Sequence, residues 1–168
     1  MKILFAASEA FPFCKTGGLA DVAGSLPVSL AENGDQVAVI LPLYDKIPYE
    51  WRQRMVYRSY IYVDVAWRHQ YCGLFVMEYR GVTWYFVDNE HYFRRGRLYG
   101  EYDDGERFAF FCRAAAQLGK LGPSLRLRQN LQPTQLPGHA GFHLIGFHSV
   151  PPSSCFGYNF RRAYRKLL

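Results

Sequence analysis

With 168 residues, 17% of them aromatic, the chain is long enough for one stably folded domain and too rich in core-forming residues to be disordered. Its formal net charge of +6 is unevenly distributed, because residues 1–118 hold all 14 acidic residues and 13 of the 20 lysines and arginines. The four cysteines form no CxxC pair, and the N-terminal apolar run is too short for a signal peptide or a membrane span. These features exclude an obvious metal-binding or secreted class, and we expect a cytoplasmic protein with free thiols and no membrane partner.

The first forty residues predict a strand, a helix and a second strand. Residues 3–7 are an apolar run typical of a buried strand, and residues 36–41 are another. Between them, residues 18–33 carry apolar side chains at helical spacing and end at Asn33-Gly34, a common helix stop. We expect the two strands to be parallel neighbours. The predicted buried face of the helix consists of Leu19, Val22, Ala23, Leu26 and Leu30.

Lys15 and the glycines Gly17 and Gly18 lie where the first strand gives way to the helix. The first turn of a helix carries free N–H groups and the positive end of the helix dipole, and glycines allow a ligand to approach that backbone closely. Lys15 adds a mobile positive charge. This pattern predicts an anion-binding turn at the carboxyl edge of the sheet. Asp21 follows in the first helical turn, where it either complements the dipole or contacts the ligand.

Three β-rich runs follow, at residues 57–66, 71–79 and 82–87, and we interpret them as antiparallel strands that extend the parallel sheet. Arg80-Gly81 is typical of a tight hairpin turn. Residues 88–93 predict a loop or short helix, and residues 106–118 predict a helix. Beyond Leu118 no periodicity is sustained, so residues 119–168 are left without assigned structure.

Several other residues that could carry chemistry have simpler structural interpretations. We expect His69 and His91 to be structural, and Cys14 to be a small buried side chain although it adjoins Lys15. The acidic cluster around Asp103 lacks the spacing of a metal site and is interpreted as a solvated loop before a helix; no metal is expected. The members of this cluster and of the neighbouring basic loop, also interpreted as solvated, are Glu101, Asp103, Asp104, Glu106, Arg94, Arg95 and Arg97.

Several motifs, in order, resemble the start of bacterial glycogen synthases and plant starch synthases. The main one is Lys15-Thr16-Gly17-Gly18-Leu19-Ala20-Asp21-Val22. The others are Lys2-Ile3-Leu4-Phe5-Ala6-Ala7-Ser8-Glu9, Gly24-Ser25-Leu26-Pro27, Val39-Ile40-Leu41-Pro42, Asp88-Asn89 with Tyr92-Phe93, Leu98-Tyr99-Gly100, and Asp103-Asp104-Gly105-Glu106-Arg107-Phe108-Ala109.

The resemblance implies the Rossmann-like N-terminal domain of a GT-B fold, present here in truncated form with an antiparallel β extension and an irregular basic tail. It implies a retaining transfer of glucose from ADP-glucose to the non-reducing end of an α-1,4-glucan such as glycogen, without cofactor or metal. Lys15 then binds ADP-glucose, and the Gly17-Gly18 backbone lies near the donor phosphate and sugar. Asp21 matches a position near the donor site.

The resemblance covers residues 1–118, the partial catalytic domain, and stops in the tail at residues 119–168. No tail segment reproduces the His-x-x-Asp-Trp-like block that lines the acceptor side in the family, and the donor-binding C-terminal domain is missing. We interpret the tail as non-family sequence from a shifted reading frame, and we expect the fragment to be inactive alone. Two alternatives stay open: a non-catalytic glucan- or partner-binding remnant, and nucleic-acid binding through the basic tail, for which a shifted frame is the simpler explanation of the charge.

Overall fold

The computed structural model describes residues 1–121 and 143–147. These residues form an α/β domain around a six-stranded sheet with the strand order β3-β4-β5-β2-β1-β6. The elements in chain order are β1 (Lys2–Ala7), α1 (Gly18–Glu32), β2 (Gln36–Pro42), α2 (Tyr49–Arg52), β3 (Val56–Val65), β4 (Arg68–Tyr79), β5 (Val82–Asp88), α3 (Glu90–Phe93), α4 (Asp104–Leu121) and β6 (His143–Phe147).

The centre of the sheet is parallel, as the apolar runs predict. Strand β1 pairs in parallel with β2, with Phe5 opposite Val39, so the predicted strand–helix–strand unit is confirmed. All seven residues of β5 are buried, as are most of those in β1 and β2, because helices and loops cover both faces of a parallel sheet. The carboxyl ends of these strands therefore meet at one edge.

The β-rich section is antiparallel and extends the parallel sheet, as predicted. Strand β3 pairs antiparallel with β4, and β4 pairs antiparallel with β5. Strand β5 also pairs in parallel with β2, so it joins this section to the central sheet. The Arg80-Gly81 turn is confirmed, since both residues have positive φ angles, of 51° and 74°. His69 lies inside strand β4, because the turn before it consists of only two residues, Ala66 and Trp67.

Helix α1 has the predicted length and a different buried face. Ala23 is buried as expected, whereas Val22 and Leu26 are exposed. The helix lies so close to the preceding loop that a Cβ atom on Gly24 would sit 2.3 Å from the carbonyl oxygen of Phe11. The apolar spacing predicted the wrong buried face, because the face of α1 that lies close to this loop has room for small side chains and not for large ones. The buried set is Ala20, Ala23, Pro27 and Val28.

The C-terminal part of the described chain adds a helix and an edge strand. Helix α4 is confirmed and continues three residues beyond Leu118. Strand β6 was not predicted; it pairs in parallel with β1, with Ile145 opposite Phe5. The other expectations for residues 119–168 concern residues outside the described part of the chain. No helix within the described part is long and apolar enough to cross a membrane.

Candidate functional site

The Lys15–Asp21 segment lies at the carboxyl edge of the parallel strands. Helix α1 connects two parallel strands, so it runs antiparallel to them and begins at the edge where β1 ends. The loop from Glu9 to Gly17 is held in place by an antiparallel bridge between Ala10 and Cys14. Phe13, which belongs to this loop, is buried and packs against Trp84, with the two ring centroids 4.8 Å apart. The glycine pair is therefore presented on a firmly packed loop.

Neither glycine is required by the fold itself. Gly17 is the N-cap of α1 with an extended backbone, φ −154° and ψ −165°, which any residue can adopt, and no side chain in the described part of the chain caps the helix. Among the described residues, a Cβ atom on Gly18 would meet no heavy atom within 4 Å, and one on Gly17 would meet only Oε1 of Glu9, at 4.0 Å. The open space lies where the positive end of the helix dipole favours an anion.

Lys15 and Asp21 form an ion pair beside this space. The ammonium nitrogen of Lys15 lies 2.7 Å from both carboxylate oxygens of Asp21. The two side chains are 48% and 55% exposed, and exposed pairs of this kind contribute only about 0–1 kcal/mol. Lys15 can therefore exchange Asp21 for an incoming anion at little cost.

Glu9 is a buried acid that the sequence analysis did not assign to the site. Its side chain is almost fully buried, and Oε2 accepts hydrogen bonds from the backbone N–H of Thr16, at 2.5 Å, and from the Thr16 hydroxyl, at 2.7 Å. These bonds hold the loop closed immediately before Gly17. The available signal in the sequence was an acidic residue two positions after a buried parallel strand, at the edge where such sheets place their sites.

Asp88 ends strand β5 at the same edge. Its Oδ1 atom is buried and has no hydrogen-bond partner among the described residues; the nearest cation, Arg94, lies 3.9 Å away. Burial raises the pKa of this carboxyl above its ordinary value, with Arg94 opposing the shift. Two acids therefore lie at this edge: Glu9 follows β1 and Asp88 ends β5, two parallel strands that are separated by β2 in the central sheet.

The acidic cluster is a structural ion-pair network and not the solvated loop that the sequence suggested. Arg107 is fully buried, donates to Asp104 at 2.9 Å, and lies over the rings of three aromatic residues. Arg95, also expected to be solvated, makes two hydrogen bonds to Asp103. In the sequence a basic run precedes an acidic run, and this order does not show which of the charged side chains the fold buries. Within residues 1–121 and 143–147, no group of three or more His, Cys, Asp or Glu is arranged to hold a metal.

The structure also places Cys14 and the two histidines. Cys14 is buried, and desolvation raises the pKa of its thiol to about 12 despite the adjacent lysine, which confirms the structural interpretation. His69 is exposed, stacks on Tyr62 with ring centroids 4.5 Å apart, and bonds to Asp64 through Nδ1 at 2.6 Å. The ring of His91 packs edge-on against Tyr92.

Comparison with known families supplies the decisive observation. A family model described as the starch synthase catalytic domain matches residues 2–128. The chain belongs to the starch synthase catalytic domain family. From the sequence we placed the domain boundary at Leu118, and the family match ends ten residues beyond it. The boundary stays a prediction.

Members of this family from bacteria and plants are similar to the chain over its N-terminal part. A glycogen synthase of Bacillus subtilis is 57% identical over 121 residues, which are 72% of this chain and 25% of the relative. One of Clostridium botulinum (strain Eklund 17B / Type B) is 54% identical over 71% of this chain and 25% of its own length. The solved catalytic domain of starch synthase IV from Arabidopsis thaliana, bound to ADP and acarbose, has a TM-score of 0.58 and 32% identity. That match covers 70% of this chain and 24% of the plant chain, so the chain spans about a quarter of the relatives it matches.

Proposed function

We propose that this chain provides the N-terminal part of an ADP-glucose site, for transfer of glucose to an α-1,4-glucan. The observation that carries the proposal is the glycine pair at the start of α1: neither conformation nor packing requires glycine there, and the open space adjoins a helix N-terminus and Lys15. A diphosphate is the ligand that such an arrangement favours. The ADP in the similar plant starch synthase supports the same ligand class.

Lys15 then supplies positive charge to the donor diphosphate. As the glycosidic bond to ADP breaks, negative charge develops on the leaving phosphate, and a fixed ammonium group with backbone N–H donors stabilises it in the transition state. Asp21 positions Lys15 before the donor arrives, since both of its carboxylate oxygens lie 2.7 Å from the ammonium nitrogen. Gly17 and Gly18 leave room for the phosphate to approach the backbone.

The 168-residue chain by itself is proposed to be inactive, because it matches only about a quarter of the length of whole enzymes. When it is incubated with ADP-glucose and glycogen, we expect little or no ADP release. Clear ADP release by the wild-type chain that is lost on Lys15→Ala would refute this part of the proposal.

A chimera tests the donor site in a complete enzyme. Residues 2–118 of this chain replace the segment that they match in the Bacillus subtilis glycogen synthase, and ADP release in the presence of glycogen is measured. We expect activity in the chimera and a loss of about 10- to 150-fold in kcat/KM on Lys15→Ala, the value of a hydrogen bond to a charged group. Asp21→Asn should reduce activity less, because Asp21 acts through Lys15. An active chimera that tolerates Lys15→Ala would contradict the assignment.

A further inference from the structure

One face of the β3–β4 hairpin carries a continuous row of aromatic rings. Tyr60 stacks on Tyr71 with centroids 5.7 Å apart, and Tyr62 stacks on His69 at 4.5 Å. At the far end Tyr57 lies edge-on to Phe75, at 5.3 Å. Tyr60 and Tyr62 are 55% and 50% exposed. We call the row formed by Tyr57, Tyr60, Tyr62, His69, Tyr71 and Phe75 the aromatic face.

Two local features of the backbone build this face. The pairing of β3 with β4 shifts register between Tyr57 and Ser59, and the extra residue, Arg58, forms a bulge. Side chains alternate between faces along a strand, so without the bulge Tyr57 would lie on the opposite side from Tyr60. With it, Tyr57 pairs with Phe75 and joins the row.

Gly73 is the second feature. It pairs with Tyr60, and a Cβ atom on it would lie 2.7 Å from the hydroxyl oxygen of Tyr71. The absence of a side chain at position 73 therefore allows the Tyr71 ring to lie across the strand and stack on Tyr60. A bulge and a glycine together keep the aromatic row unbroken.

The polarity of the face favours an uncharged partner with many hydroxyl groups. Among the six residues of this face none is acidic and His69 is the one basic side chain; it bonds to the adjacent Asp64 at 2.6 Å. Tyrosine combines a flat apolar ring with a polar hydroxyl, which suits the C–H faces and hydroxyl groups of a sugar chain. A nucleic acid requires lysines or arginines along its path, which the residues of the face do not provide. The bulge at Arg58 interrupts the edge on which a second copy would pair.

The face reaches the edge of the sheet that holds the proposed donor site. Strand β4 runs antiparallel to β5, and Asp88, the last residue of β5, pairs with Gly73. Residues 68–72 therefore extend beyond the carboxyl edge of the parallel strands, together with their partners in β3. This extension carries the Tyr62–His69 and Tyr60–Tyr71 stacks toward the edge where α1 begins.

We propose that the aromatic face binds an α-1,4-glucan chain outside the transfer site and keeps the polymer close to it. The choice of glucan rests on the proposed function, in which a glucan is the acceptor. The binding itself requires neither ADP-glucose nor turnover, so it can be measured on the 168-residue chain.

The test compares co-sedimentation with glycogen for the wild-type chain and for Tyr60→Ala/Tyr62→Ala. We expect the double substitution to weaken glycogen binding about tenfold or more, as loss of central aromatic contacts does at other interfaces. Tyr49→Ala is the matched control, because Tyr49 is likewise an exposed tyrosine, 73% accessible, that lies on α2 and is not part of the face. Tyr60→Phe/Tyr62→Phe keeps the rings and should retain most of the binding, which guards against misfolding as the cause of a loss.

Several outcomes overturn the proposal. One is a wild-type chain that does not sediment with glycogen, and another is a double alanine variant that binds as well as wild type. A wild-type dimer that dissociates in the double alanine variant, seen by sedimentation velocity, would identify a second copy as the occupant. The donor-site proposal is tested separately by Lys15→Ala, which should leave glycogen binding by the 168-residue chain unchanged. A loss of glycogen binding in Lys15→Ala would place the glucan at the transfer site and not on the aromatic face.

Discussion

Replacing Gly18 with alanine should stabilise the fold while it weakens the donor site. Gly18 is the first residue of α1, its φ is not positive, and its added Cβ would meet no heavy atom of the described residues within 4 Å. Under these conditions Gly→Ala stabilises a protein by about 0.4–1 kcal/mol, through the lower entropy of the unfolded chain. For a domain of this size that raises the Tm by about 1–4 °C. In a helix the Cα–Cβ bond tilts toward the N-terminus, so the new methyl group enters the space proposed for the diphosphate.

The assay has two arms and one matched control. Thermal unfolding of the 168-residue chain reports stability, and ADP release by the chimera reports the site, where we expect kcat/KM to fall about 10- to 150-fold as one or more charge-assisted hydrogen bonds are lost. Gly34→Ala is the control, since its Cβ would also meet nothing within 4 Å in residues 1–121 and 143–147, but its φ is +92°. We expect it to destabilise the chain by about 1–2 kcal/mol, because left-handed backbone is costly for alanine, and to leave kcat/KM unchanged.

The two arms refute different steps. A lower Tm for Gly18→Ala would show that the fold does need glycine at this position, which removes the reason for assigning the space to a ligand. A higher Tm with unchanged kcat/KM in the chimera would show that the space is free and that the diphosphate does not use it.

Three further predictions concern the packed ion pairs and the thiols. Asp104→Ala should cost about 3–5 kcal/mol in urea unfolding, because it leaves the fully buried Arg107 without its carboxylate, and a loss below 1 kcal/mol would show that the pair is not maintained. The hydrogen bonds from Arg95 lower the pKa of Asp103, so its stabilisation should be complete above the ordinary carboxyl pKa of about 3.9 and vanish as the pH falls through the lower folded value. The Tm difference between wild type and Asp103→Asn should therefore close in acid, and a difference that stays constant from pH 7 to pH 3 would contradict it. Cys14, with its pKa raised to about 12 by burial, should resist iodoacetamide at pH 8 until the chain is unfolded, as read by mass spectrometry.

Local features of the fold followed from local sequence. The strands β1 and β2, the limits of α1 and the Arg80-Gly81 turn were predictable, since each depends on an apolar run, a helical period or a residue that tolerates positive φ within a few positions. Strand β6 gave no such signal. It is only five residues long, and β1 supplies its pairing from more than a hundred positions away in sequence.

The candidate site divides in the same way. Lys15 and the glycines were predicted to form an anion-binding turn from their position between a strand and a helix, and this role stays a prediction. The ion pair of Lys15 with Asp21 and the role of Glu9 in closing the loop required the structure, because both depend on where side chains converge after the loop has folded. The small-residue face of α1 also appeared only there, since close approach to the Phe11 carbonyl, and not hydrophobic spacing, selects it.

By itself, then, the sequence determined the strand–helix–strand unit, the family and the position of the Lys15–Gly18 turn before α1, all of which depend on contiguous motifs. The tertiary structure alone decided that β5 joins the parallel sheet, that Arg107 is buried with Asp104, and that a bulge turns Tyr57 toward Tyr60. The physical reason is that pairing, burial and side-chain direction are set by partners distant along the chain, and these partners meet only when the sheet assembles.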